Sequence, residues 1–183
     1  MEKLFWQFLL YSFLGFVLEA LFARITKSGK PDRKCLFILP LCPVYGLGAL
    51  LINALPLFVR SNPLLLLPLG TAAASVAEYF MGWFYERILG VRFWDYSAMR
   101  WNLSGRICLK FSLAWGLLSL AVVNWIHPRI LWLVNQIPTG WAFPTAILFA
   151  CDAICTVILL RFTKTTASLR WYDHLRRPEE KRS

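Results

Sequence analysis

The sequence predicts an all-α, polytopic membrane helical bundle with about five transmembrane helices. Hydrophobic residues make up 58% of the 183-residue chain and charged residues only 16%, a balance that the surface of a soluble protein does not accommodate. The apolar residues form five stretches of about 20 residues, the length that a helix needs to cross roughly 30 Å of hydrocarbon. Three stretches contain an acid, Glu19, Glu78 or Asp152, which is costly in lipid unless it faces a polar interior.

The five predicted spans follow one another within residues 1–162, which we interpret as a single transmembrane bundle. The second and fourth spans contain proline or glycine residues that can interrupt a helix. Another apolar segment, residues 130–134, is too short to cross, and we expect it to lie in the outer interface. The predicted spans are residues 4–23, 36–59, 64–89, 107–126 and 139–160.

The distribution of Lys and Arg predicts which loops face the cytoplasm. All but three of the 20 basic residues, Lys3, Arg60 and Arg129, fall after the first span, around the link between the third and fourth spans, or at the C-terminal end. Because cytoplasmic loops accumulate positive charge, we expect the N-terminus outside and the C-terminus inside the cell (cytoplasmic) membrane. Residues 163–183 then form a basic cytoplasmic tail, either amphipathic or disordered. This topology and attraction to anionic lipid explain the net charge of +10 better than nucleic-acid binding does.

Polar side chains inside the spans predict a substrate or ion pathway. With a rise of 1.5 Å per residue, Glu19, Glu78 and Asp152 fall in the cytoplasmic halves of their spans. Cys42 and Tyr45 reach a similar depth in the second span. Since acids within a membrane usually face a water-filled interior, we expect these side chains to converge on one cavity that opens to the cytoplasm. The alternative for Glu78 is a neutral, purely structural carboxyl group bonded to a neighbouring helix.

The loop between the third and fourth spans carries the densest polar chemistry. Its aromatic residues suit the membrane interface, Asp95 can pair with a nearby Arg, and Asn102 can cap the next helix. Arg106, just inside that helix, can attract a phosphate or carboxylate group. The loop is therefore either a folded connector or the mouth of the pathway. The candidate mouth residues are Glu86, Trp94, Asp95, Tyr96, Asn102 and Arg106.

No catalytic, metal or cofactor site is predicted from motifs. The sequence contains no HExxH, GxSxG or paired-Asp motif and no GxxxxGK[ST] phosphate loop. All five cysteines fall in spans or at their cytoplasmic ends, so we expect reduced thiols rather than disulfides. ATP hydrolysis, where needed, has to come from a partner.

Five motifs together carry a family resemblance: FLGFVLE at 13–19, CPVYGLGALL at 42–51, EY at 78–79, WDYS at 94–97 and NLSGRICLKFSLAWG at 102–116. In these motifs the chain resembles the CmpB-like, type IV ABC-transporter permease family of small bacterial integral membrane proteins. The resemblance implies a permease that works with a separate ATP-binding subunit. We expect residues 92–105 to dock that subunit and a homodimer to complete the pathway.

Three classes of function stay open at this point. The favoured class is a permease component of a transporter with a polar intramembrane cavity that faces the cytoplasm, and an ion-coupled carrier would use the same acids without ATP. The second is a non-catalytic membrane scaffold or regulatory subunit. The third is a membrane-embedded enzyme that acts on a lipid-linked substrate, which the absence of a recognisable catalytic motif disfavours.

Overall fold

Helices dominate the structure, a computed structural model that describes residues 1–26 and 34–170. Of these described residues, 74% are helical and very few lie in strands, which confirms the predicted all-α membrane bundle. Within the described residues, four helices are long and apolar enough to cross a membrane, and one further apolar helix is shorter. The chain is therefore a multi-pass membrane protein. Most of the predicted basic tail, residues 171–183, lies outside the described residues.

The helices and strands follow the chain in a simple order. Two π-helical turns extend long helices, and a two-stranded antiparallel hairpin lies in the segment that we call the connector, residues 90–108. The elements are α1 Glu2–Ile25, α2 Pro43–Asn53, α3 Leu57–Arg60, α4 Pro63–Phe84 with its π turn Tyr85–Leu89, β1 Asn102–Leu103, β2 Ile107–Cys108, α5 Leu109–Ala121 with its π turn Val122–Ile126, α6 His127–Gln136, α7 Ala142–Thr163 and a 3₁₀ turn Thr166–Leu169.

The second predicted span, residues 36–59, is not one transmembrane helix. Its helical part, α2, has 11 residues and is about 16 Å long at 1.5 Å per residue, roughly half of the hydrocarbon thickness. Residues 34–42 before it are irregular. Pro43 occupies the first turn of α2, where a missing N–H does not interrupt a helical bond. Pro43 therefore begins the helix seven residues after the start of the predicted span.

The predicted interfacial segment, residues 130–134, is not a separate short segment but belongs to the last part of a long helix. Helices α5 and α6 and the π turn between them form one 28-residue helix from Leu109 to Gln136. The π turn Val122–Ile126 ends two residues before Pro128, and such wider turns accommodate a residue that cannot donate a helical hydrogen bond. Ile130 and Val134 are consequently buried in the core beside Tyr11.

Close helix packing is concentrated around α4. Helix α4 packs along α5 and α2, and α2 packs along α1. Small residues allow the α4–α5 approach: a Cβ atom on Gly116 would lie 2.1 Å from Thr71 Oγ1, and Ser75 Oγ donates to Ser112 Oγ at 2.9 Å. Helices α1 and α5, in contrast, do not pack closely against each other along their described lengths. The space between them is the site described next.

Candidate functional site

A cavity of about 370 Å³ lies among α1, α2, α4, α5 and the connector. It is near the end of α1 and the start of α5, at the side of the bundle that the charge distribution predicts to be cytoplasmic. Two carboxylates face a mainly aromatic and aliphatic wall. We call this cavity the acid pocket; its lining consists of Leu18, Glu19, Phe22, Cys35, Cys42, Val44, Tyr45, Glu78, Phe93, Trp94, Tyr96, Phe111, Ala114, Trp115 and Leu118.

Glu19 and Tyr45 form the side of the acid pocket between α1 and α2. The Tyr45 hydroxyl donates to Glu19 Oε1 at 2.8 Å. Gly15, one helical turn before Glu19, allows the tyrosine to pass against α1, because a Cβ atom there would lie 2.2 Å from Tyr45 Cγ. The Tyr45 ring also packs against Trp115, with the ring centroids 4.8 Å apart. The close approach of α1 and α2 therefore fixes the position of this hydroxyl.

Glu78 lies on the opposite side of the acid pocket, on α4. The residue is only 4% exposed. Its two oxygens accept from the Tyr96 hydroxyl at 3.0 Å and from Trp115 Nε1 at 3.0 Å. Tyr96 comes from the connector, where it stacks on Phe111 with centroids 4.9 Å apart, and burial raises the pKa of its hydroxyl. Glu78 and Glu19 are close enough to interact electrostatically across the space.

Asp152 does not line the acid pocket, contrary to the expectation that it belongs to the pathway. Its two carboxylate oxygens accept from the backbone N–H groups of Ile38 at 2.9 Å and Leu39 at 2.7 Å. One turn later on α7, Thr156 Oγ1 accepts from Phe37 N at 2.9 Å. Helix α7 therefore supplies the acceptors that the irregular segment before α2 lacks, and Asp152 has a structural position.

The predicted mouth residues divide into two groups. Trp94 and Tyr96 line the acid pocket, and Trp94 Nε1 donates to the backbone oxygen of Arg106 at 2.8 Å. The Arg106 guanidinium binds Glu86 Oε2, with Nη2 at 2.7 Å, and donates to the Tyr79 hydroxyl at 3.0 Å. Arg106 is thus held by Glu86 in this structure, as in the folded connector that the sequence left open, and its attraction of an anionic group stays a prediction.

Asp95 and Asn102 stabilise the folded connector and do not line the acid pocket. Asp95 accepts from Ser97 N at 2.9 Å and from Arg92 at 3.0 Å, and the bond from the Ser97 backbone is the main cause of its lowered pKa. Asn102 accepts from Gly105 N at 3.0 Å. The latter bond spans the hairpin turn, where Ser104 and Gly105 both have positive φ angles, 55° and 68°, as the right-handed twist of a tight hairpin requires.

Trp115 is the site residue that sequence reasoning missed. It joins both sides of the acid pocket, because its ring packs against Tyr45 and its indole N–H donates to Glu78. A signal was present: Trp115 lies three residues after Ser112 and four before Ser119, on the small-residue face that packs against α4. A tryptophan on such a face is buried, and its N–H then needs an acceptor.

Comparison with known proteins gives one family. A family model described as "Putative ABC-transporter type IV" matches residues 6–159. The matched range extends the resemblance seen in the motifs from α5 into α7, and it includes all residues that line the acid pocket. No curated protein and no solved structure matches the chain.

Proposed function

Since the chain belongs to this ABC-transporter type IV family, we propose that it is the membrane permease component of a transporter, with the acid pocket as its polar intramembrane cavity. One observation carries the proposal. Glu19 and Glu78, from two different helices, face the same space of about 370 Å³. Acids are expensive at this depth in a bilayer and mark pathways for ions and substrates.

The partners of the two acids support a binding role over a purely structural one. Glu19 accepts from the hydroxyl of Tyr45, and Glu78 accepts from the hydroxyl of Tyr96. A hydroxyl group both donates and accepts. Each carboxylate can therefore take up a proton and donate it to its tyrosine oxygen, because the tyrosine's own proton can turn into the adjoining cavity, where water can accept it.

The proposal includes a separate ATP-binding subunit, because the sequence has no phosphate-binding loop of its own. The connector is the docking element that we propose for it. Its hairpin presents Trp101 and Leu103, which are 79% and 57% exposed, on a framework held by the Glu86 and Arg106 ion pair. A second copy of the chain completes the transporter in this proposal, since four long helices are few for a whole pathway.

Thiol labelling tests whether the acid pocket is wet and open to the cytoplasm. In a background with all five cysteines replaced by alanine, Ala114→Cys places a thiol on the pocket wall, and Leu117→Cys places one on the exposed outer face of the same helix. Thiols react as thiolates and need water. We expect a membrane-impermeant reagent, added to inside-out vesicles, to label position 114 at least tenfold faster than position 117. Equal rates, or labelling of position 114 only in right-side-out vesicles, would contradict the proposal.

Affinity purification tests the partner. We expect the chain, purified from the membranes of its own host in mild detergent, to carry an ATP-hydrolysing subunit. Trp101→Ala on the connector should release that subunit. Trp141→Ala, an exposed tryptophan at the start of α7 and so at the opposite end of the bundle, serves as the control and should retain it. If both variants retain the subunit equally, the connector is not part of the docking surface. A complex that forms while Glu19→Gln and Glu78→Gln leave its activity intact would point to a scaffold instead.

A further inference from the structure

A second cavity of about 230 Å³ adjoins the acid pocket. We call it the apolar groove, because carbon atoms of α1, α2 and α5 form nearly all of its wall. Helix α2 lies on its inner side, and no residue of α2 is exposed. The lining residues are Tyr11, Leu14, Gly15, Val17, Leu18, Leu21, Tyr45, Ala49, Ile52, Trp115, Leu118, Val122 and Ile126.

The apolar groove is continuous with the lipid-facing surface of the bundle. It lies in the seam between α1 and α5, two helices that do not pack closely against each other. Its rim on α1 consists of four aliphatic residues at helical spacing, all between 36% and 50% exposed. Because α1 is long and apolar enough to cross the membrane, side chains exposed at this depth meet acyl chains. The groove therefore opens sideways toward lipid. The rim residues are Leu14, Val17, Leu18 and Leu21.

The groove is closed at its far end. Tyr11, which lines that end, is only 3% exposed and belongs to a buried cluster with Ala49 and Val122. Its hydroxyl is hydrogen-bonded to His127 Nδ1 at 2.9 Å, so the aromatic ring is fixed in place. A molecule in the groove therefore enters from the side, between α1 and α5, and ends at the tyrosine.

We propose that the apolar groove binds one acyl chain of a phospholipid from the cytoplasmic leaflet, with the lipid phosphate at Arg24. The inference goes beyond the proposed function and does not depend on it, because neither acid of the acid pocket takes part.

The length and depth of the groove fit one leaflet. From Leu21 to Tyr11 the groove follows α1 for ten residues, about 15 Å at 1.5 Å per residue, which is half of the roughly 30 Å of hydrocarbon. Leu21 lies about 6 Å from the end of α1 at Ile25, whereas Tyr11 lies about 14 Å from its start at Glu2. The groove thus belongs mainly to the half of the membrane that the charge distribution predicts to be cytoplasmic.

The width of the groove excludes a helix of a second copy as the occupant. A helix is about 10 Å in diameter, so 15 Å of it fills roughly 1,200 Å³, which is more than the cavity holds. Such a helix can lie across the rim but cannot enter. A single hydrocarbon chain is thin enough to enter, and it meets only apolar walls.

Basic residues at the cytoplasmic end of the seam complement the charge of a lipid phosphate. Arg24 is exposed and follows Leu21 by three residues, so it continues the face of α1 that carries the rim. Across the seam, Lys110 is exposed and precedes Phe111, whose ring contacts Phe22 with centroids 6.4 Å apart. Basic side chains at the membrane surface attract anionic lipid groups. Both helices therefore present a base at the level where the headgroup of the bound lipid lies.

Photo-crosslinking tests whether an acyl chain enters the groove. The protein is reconstituted in phosphatidylcholine vesicles that contain a small fraction of phosphatidylcholine with a diazirine in the middle of one acyl chain, and adducts are mapped by mass spectrometry. Adducts on α2 report the groove, because α2 has no exposed residue, and adducts on α7 report lipid on the outer surface. We expect α2 adducts in the wild type. Ala49→Phe, which fills the groove, should lower the ratio of α2 to α7 adducts at least tenfold. Val76→Phe, at a position of α4 that is 62% exposed, should leave the ratio unchanged.

Two further measurements keep the test decisive if Ala49→Phe is poorly folded in size-exclusion chromatography. Arg24→Gln changes an exposed residue and should lower the same ratio at least threefold, whereas Arg129→Gln, an exposed base beyond the opposite end of the groove, should not. A diazirine at the end of the chain should label Ile52, and one near the headgroup should label Leu21.

Three results would overturn the inference. The first is a wild type without adducts on α2, which is also the result expected if a side chain of a second copy fills the groove. The second is a ratio that neither Ala49→Phe nor Arg24→Gln changes. The third is the reverse order of labelling by the two probe positions, because the chain would then enter from the other leaflet.

Discussion

Asp152 and Glu78 are equally buried carboxylates, each 4% exposed, on helices long enough to span the membrane. Their hydrogen-bond partners differ in kind. Asp152 accepts from two backbone N–H groups, which can only donate. Glu78 accepts from one indole N–H and from the hydroxyl of Tyr96, which can also accept. Asp152 can therefore only accept hydrogen bonds from its two partners. Glu78 has one partner, the Tyr96 hydroxyl, that can either donate or accept a hydrogen bond.

This difference separates an acid that is fixed as an acceptor from one that can change its protonation state, without reference to depth or sequence. A carboxylate whose partners are all obligate donors cannot change protonation state without stranding one of them. A carboxylate that is bonded to a hydroxyl group and faces a cavity can change its protonation state, because the hydroxyl can accept instead of donate. Replacing each acid by its amide, in Asp152→Asn and Glu78→Gln, tests this difference directly. An amide keeps the shape of the acid and replaces one acceptor oxygen with a donor.

The largest effect is expected at Asp152. In Asp152→Asn the amide nitrogen faces either Ile38 N or Leu39 N, and neither backbone group can accept. One buried N–H loses its partner within the membrane, which lowers the free energy of unfolding by about 2 to 4 kcal/mol. Unfolding in mixed micelles with increasing dodecyl sulfate measures this. Cys151→Ala, at the adjacent exposed position, is the control. If the two variants have the same free energy of unfolding, Asp152 has no structural role.

The next largest effect is expected at Gly15, on the pocket side of the comparison. In Gly15→Ala the new methyl group meets Tyr45 at 2.2 Å, so the tyrosine has to move away from Glu19. Such overpacking lowers the free energy of unfolding by about 1 to 3 kcal/mol, which the same unfolding in mixed micelles measures.

Gly48→Ala is the matched control, because its nearest contacts are at 3.9 Å. It should raise the free energy of unfolding slightly through helix propensity. If Gly15→Ala is as stable as Gly48→Ala, the close approach of Tyr45 to α1 does not require a glycine at position 15.

The smallest effect on stability is expected for Glu78→Gln. The glutamine oxygen can accept from Trp115 while its nitrogen donates to the Tyr96 hydroxyl oxygen, and the Tyr96 proton can turn into the acid pocket, where water can accept it. We expect the free energy of unfolding to change by less than about 1 kcal/mol in the same micelle assay. Tyr96→Phe removes the hydroxyl that can both donate and accept. The Tyr96→Phe, Glu78→Gln double variant should lower the free energy of unfolding by more than the sum of the two single variants. A loss at Glu78→Gln as large as that at Asp152→Asn would make both acids structural.

Sequence alone predicted the helical membrane bundle and the convergence of Glu19, Cys42, Tyr45 and Glu78 on one cavity. Length and hydropathy identify α1, α4 and α7 because each is an uninterrupted apolar helix. Acids in such helices point inward for energetic reasons, so their grouping was accessible as well.

Three features were not accessible, two of them because they depend on partners distant in sequence. Asp152 is as apolar in its surroundings along the chain as Glu78, and its two donors, Ile38 N and Leu39 N, lie far from it in sequence. The span predicted to end at residue 126 continues to Gln136, because a π turn carries the helix past Pro128. Arg106 looked available for an anion, yet Glu86 from the preceding helix binds it.

The contact between Asp152 and the segment before α2 has a consequence for biogenesis. The two ends of these hydrogen bonds are 113 and 114 positions apart in the chain, which corresponds to on the order of 10 s of ribosomal synthesis. During that interval residues 36–41 have no acceptor from α7, and lipid offers none. We therefore expect that the short helix α2 does not reach its final position when it is synthesised. We expect it to stay in contact with water or with the insertion machinery until α7 enters the membrane, so that a long helix synthesised later completes the earlier part of the fold.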